Sequence, residues 1–126
     1  QPHDFIYVCD VARGLVTLGQ NDDAFGETWH LPCAGTLSTR ELVDLFEDEI
    51  GQSIQTRTIG SFMARLIGIF TPILREFPEM MYQWEKPFRV DDSKFRAAFK
   101  ANHTPHLDAV AQTIAWYQQH RDRLNS

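Results

Sequence analysis

The sequence has only two cysteines, Cys9 and Cys33, among 126 residues. A disulfide framework of the kind that staples small secreted domains needs more pairs. Without a Cys-x-x-Cys spacing, a zinc knuckle also lacks its ligands. No long hydrophobic run is present. The most apolar stretch, Leu66–Leu74, is closed by Arg65 and Arg75 and falls well short of the ~20 residues that a membrane-spanning helix needs. There is no basic surplus either: 17 Asp and Glu outweigh 12 Lys and Arg, for a net charge of −5. That balance disfavours a nucleic-acid partner, whose phosphates select cationic faces. Gln1–Asp4 is polar and lacks the apolar continuation of a secretory signal. Together these absences lead to an expectation of a cytoplasmic chain with no nucleic-acid and no membrane partner. What is present is ordinary for a packed domain: 43% hydrophobic and 23% charged residues, without repeats or low-complexity tracts. One domain over 1–126 is the natural expectation at this length.

Hydrophobic spacing divides the chain into short pieces. Phe5-Ile6-Tyr7-Val8 is β-branched and aromatic and predicts a strand at about 5–8. Asp10 then reads as an N-cap, with Val11, Leu15 and Leu18 on one helical face. Thr28–Leu31 predicts a second strand, and 53–59 a third. Ser38-Thr39-Arg40-Glu41 is a capping box ahead of an amphipathic helix that Gly51 ends. A long apolar helix is expected from Ser61, kinked at Pro72 and broken at Pro78. Asp92 or Ser93 opens a short helix with Phe95 and Phe99, and Thr104-Pro105 starts a last one that ends near Arg121. Strands alternating with four to five helices predict an α/β fold. The strands are few for so many helices, and the chain starts almost directly on one of them. Both features suggest the continuation of a larger sheet.

The run His3-Asp4-Phe5-Ile6-Tyr7-Val8-Cys9-Asp10-Val11-Ala12 resembles a motif of the extended short-chain dehydrogenase/reductases, the NAD-dependent epimerase/dehydratase family. Gly26-Glu27-Thr28-Trp29-His30-Leu31-Pro32, Ser38-Thr39-Arg40-Glu41-Leu42, Lys86-Pro87-Phe88-Arg89-Val90-Asp91-Asp92-Ser93-Lys94-Phe95 and Thr104-Pro105-His106-Leu107 are similar to later segments of that family, in the same order. The resemblance implies the C-terminal fragment of a Rossmann-type enzyme. Residues 1–35 would complete an upstream Rossmann sheet, and 36–126 would form a mostly helical substrate region. No Gly-rich cofactor turn and no upstream catalytic Ser or Thr occurs here. Tyr82–Lys86 has the catalytic Tyr-x-x-x-Lys spacing, but Pro78 and Pro87 flank it and its place in the order is wrong. The chain alone is therefore expected to be inactive and to bind no cofactor. NAD or NADP is implied for the complete enzyme, together with a small-molecule substrate and an upstream cofactor domain as partners. The isolated chain is expected to self-associate through an uncovered sheet edge and apolar face.

Candidate substrate contacts are Met80, Met81, Tyr82 and Trp84, whose flexible thioethers and amphipathic rings suit an adaptable pocket. Arg89 would face a polar substrate group, Phe62 would line the same pocket, and His3 stands where the family often has an arginine. A neutral histidine is a weaker phosphate ligand than a bidentate arginine, and Cys9 stands where the family often has an aspartate. His103 and His106 form an HxxH spacing without further convergent ligands, so no metal site is expected. Asn102-His103-Thr104 is a formal glycosylation sequon. A different class of reading is a free-standing, non-catalytic ligand-binding or protein-interaction module.

Overall fold

The computed structural model describes residues 1–56 and 86–124. In chain order these form β1 (Pro2–His3), α1 (Val8–Gly19), a 3-10 turn (Asp22–Ala24), β2 (Leu37–Ser38), α2 (Thr39–Ile50), α3 (Ser93–Phe99) and α4 (His106–Leu124). Among the described residues the architecture is mostly helical with one two-stranded antiparallel sheet. That overturns the expected α/β class and the Rossmann-type sheet.

The strands expected at 5–8 and 28–31 do not form, because their backbone groups are taken elsewhere. At 5–8, the Tyr7 carbonyl accepts from the amides of Asp10 and Val11, at 2.9 and 3.2 Å, so the helix begins at Val8. Tertiary ties override the β preference of Phe5-Ile6-Tyr7-Val8. At 28–31, side chains take the backbone groups that a ladder would use: Lys94 Nζ donates to the Thr28 carbonyl at 3.1 Å. Residues 53–56 are irregular, because the Glu47 carboxylate accepts from the Ile54 amide at 2.8 Å; 57–59 lie outside the described residues. The strand that does form is β1. Pro2 pairs with Ser38 and His3 with Leu37, antiparallel. On its other side His3 bridges Phe88 in parallel, with Phe88 N donating to the Pro2 carbonyl and Asp4 N to the Phe88 carbonyl, both at 3.0 Å.

The helix signals in the sequence behave as local chemistry dictates. Ser38 Oγ accepts from the Glu41 amide and the Glu41 carboxylate accepts from the Ser38 amide, which satisfies two end groups of α2 at once. Gly51 closes that helix at φ 70, a left-handed conformation that costs glycine nothing. Asp10 is not an N-cap but a residue of the first turn of α1, buried and turned toward the distant Thr104. α2 packs on α4, and Val110 of α4 is buried. A second core gathers around α3, where Phe95 is 1% exposed and meets Phe99 and Trp29 at ring-centroid distances of 4.8 and 6.1 Å. Gly14 lets α1 approach closely, since a β-carbon there would sit 2.6 Å from Leu31 Cδ2.

Candidate functional site

Three aspartates join segments that are far apart in sequence. Asp4 Oδ2 accepts from the Val90 amide at 2.6 Å. Asp10, 5% exposed, accepts from both the amide and the hydroxyl of Thr104 at 2.8 Å and also pairs with Arg13. Burial pushes the Asp10 carboxyl up, but the Thr104 bonds and the Arg13 charge outweigh it and hold the group below its ordinary value. Asp92 receives the Arg96 guanidinium in a two-pronged contact at 2.8 and 2.7 Å and the Cys33 amide at 2.9 Å. The Arg96 bond lowers the Asp92 carboxyl below its ordinary value, with burial opposing and the Cys33 amide assisting. Arg96 completes the knot by donating to the Cys33 carbonyl at 2.7 Å and to His103 Nδ1 at 3.0 Å.

Two hollows flank this knot and share His103 as a wall. One, of about 370 Å³, lies beside Asp10, Arg13 and Thr104. The other, of about 380 Å³, lies between Asp4, the loop at Cys33–Thr36 and Arg89. Most charged groups around them are spent on holding the chain together. Arg89 is the exception: it is exposed and makes no ion pair or hydrogen bond among the described residues. A free guanidinium on the rim of a polar hollow can hold a carboxylate or phosphate oxygen. The surroundings of Cys33 disfavour its thiolate. Burial pushes its thiol up, the Asp4 and Asp92 carboxylates push it further, and its Sγ donates to the Leu31 carbonyl.

Of the residues singled out by sequence, the structure brings His3 and Arg89 into neighbouring segments through the His3–Phe88 bridge. His3 is buried and its Nδ1 donates to the Gln1 carbonyl at 2.8 Å. Phe62, Met80, Met81, Tyr82 and Trp84 lie outside the described residues, as does Tyr82 of the Tyr-x-x-x-Lys spacing. His103 and His106 serve separate partners, Arg96 and the Gly35 carbonyl, and among the described residues no three His, Cys, Asp or Glu converge as metal ligands do. Sequence reading missed the Asp4, Asp10 and Asp92 ties. The available signal was three aspartates set within or beside apolar motif segments, where a charge must find partners.

The described helices carry carboxylates at or near their N-termini. The start of α2 is closed by its own Glu41 carboxylate, α1 carries Asp10 in its first turn, and the Asp91 carboxylate takes the Ser93 amide at the start of α3. Among the described residues no helix is long and apolar enough to cross a membrane. Comparison with protein-family models, with curated proteins and with solved structures finds no match to this chain.

Proposed function

We propose that the chain is the substrate-binding C-terminal part of an NAD(P)-dependent epimerase, dehydratase or reductase, and that it is inactive by itself. One observation carries the reading. The segments that bear the family resemblance, separated by 59 to 94 positions in sequence, meet around one pair of hollows through Asp4, Asp10 and Asp92. Residues of a shared motif that tie a site together, instead of reacting in it, are what a substrate-side scaffold requires. Arg89 is the group in this scaffold left free for a substrate oxyanion. The chemistry belongs to another part of the enzyme: the nicotinamide supplies hydride transfer when bound there, and this chain's share is to position the substrate.

The first test is the reading frame upstream of the Gln1 codon. The expected result is a continuous frame holding a Gly-rich strand-turn-helix and a Tyr-x-x-x-Lys. A start codon directly before Gln1 would overturn the proposal. The second test follows NADH and NADPH absorbance with the chain alone over a panel of carbonyl and sugar-nucleotide substrates. No turnover is expected, and an enzyme-like rate from this chain by itself would equally defeat it.

A further inference from the structure

The hollow beside Arg89 can be read for the charge of its occupant. Its lining includes two carboxylates, Asp4 and Asp92, and two guanidiniums, Arg89 and Arg96. Arg96 is spent: Asp92 neutralises it, and it also donates to the Cys33 carbonyl and to His103. Asp4 pairs with no cation among the described residues, and its Oδ2 takes the Val90 amide. The field around the Cys33 loop is therefore negative. The Cys33 thiol registers it, pushed up by burial and then by the Asp4 and Asp92 carboxylates. Arg89, exposed on the rim, carries the unspent positive charge.

Such a field selects against a phosphate dianion or a diphosphate. Either would bring several negative charges toward Asp4 and Asp92 with one guanidinium to meet them. A carboxylate brings a single charge and two oxygens, which match the parallel N–H donors of a guanidinium. The hollow also has polar groups left over. Asp4 Oδ1 and the Thr36 hydroxyl, both on half-buried residues, have no hydrogen-bond partner among the described residues. An ionised carboxylate can only accept, so Asp4 needs a donor, which a hydroxyl supplies and an anionic oxygen does not. From these observations we infer that the hollow takes a small hydroxy carboxylic acid, its carboxylate on Arg89 and its hydroxyl donating to Asp4 beside Thr36. The inference names the substrate class of the site proposed above and rests on that reading. A volume of about 380 Å³ suits a molecule of sugar-acid size.

The test is a titration of the isotope-labelled chain followed by its backbone amide NMR signals. Gluconate should move the Gly35, Thr36 and Val90 amides and saturate. Sorbitol, which lacks the carboxylate, and hexanoate, which lacks the hydroxyls, should each bind at least about tenfold more weakly. UDP-glucose should bind no better than sorbitol. Arg89→Gln, at an exposed position, should weaken gluconate about tenfold, and Arg89→Lys should recover part of the loss through charge without the fork. Gluconate that leaves these amides unmoved overturns the inference. So does gluconate binding that Arg89→Gln leaves unchanged. Hexanoate binding as well as gluconate would make the site a general carboxylate contact and overturns it too, as does tighter binding of UDP-glucose or inorganic phosphate at the same amides. The upstream frame tests the enzyme reading separately. A frame without gluconate binding removes the substrate class and leaves that reading, whereas gluconate binding without the frame removes the reading and leaves a hydroxy-acid site.

Discussion

At the scale of single residues, the protein depends on charges that are buried only where they are fully bonded. Asp10 shows the rule. Its carboxylate has little solvent access and satisfies the amide and hydroxyl of Thr104 together. Asp10→Asn keeps one acceptor but loses the charge, so it should cost about 2 kcal/mol in urea unfolding. Thr104→Val removes only the hydroxyl and should cost about 1 kcal/mol. The pH dependence follows from the same groups. The folded Asp10 and Asp92 carboxyls are both lowered, so the folded state binds protons less readily than the unfolded chain. Their contribution is complete above the unfolded value of about 3.9. It is lost as pH falls through the lower folded values. Stability should hold down to mildly acidic pH and drop below about pH 4, and Asp10→Asn should flatten that drop. The two thiols differ in the same physical way. Cys9 is exposed, whereas Cys33 is half-buried with its thiol pushed up. A thiol-labelling time course should modify Cys9 at least about tenfold faster, and equal rates would contradict the packing around Cys33.

At the scale of elements, ends matter more than middles. The capping box of α2 and its Gly51 stop were readable because capping is chemistry between residues three or four apart. Ser38→Ala should cost about 1 kcal/mol, measured by thermal unfolding. α3 offers the opposite case. It ends on Lys100 at φ 48, a left-handed conformation for a residue with a β-carbon. Lys100→Gly should stabilise the protein by about 0.5–1 kcal/mol, and a loss of stability would show that the lysine side chain does something its position does not reveal. The strands were misread for an equally physical reason. Alternation says that a segment suits a sheet, but a strand exists only where another edge pairs with it. Phe5–Val8 had no edge and became the entry to α1, whereas Pro2–His3 found both Leu37–Ser38 and Phe88.

At the scale of the whole molecule, three long-range ties join residues 4, 10 and 33 to residues 90, 104 and 92. The proposed place of this chain in a larger enzyme rests on the order of its motif segments, and Asp4, Asp10 and Asp92 of those segments make the long-range ties. Arg89 and His3 could be named from the sequence as candidates, yet only packing showed that His3 is buried against Gln1 while Arg89 is exposed, with no ion pair or hydrogen bond among the described residues. Sequence alone determined the capping box and the Gly51 stop of α2, the amphipathic spacing of α2, the Thr104-Pro105 start ahead of α4 and the acidic net charge, because each is set within a few residues or by composition. Tertiary structure decided which face of α1 turns inward, which aspartates become structural and where the one two-stranded sheet forms. The reason is distance along the chain. Asp10 points into the protein because Thr104 waits for it, and no local pattern can encode a partner 94 positions away.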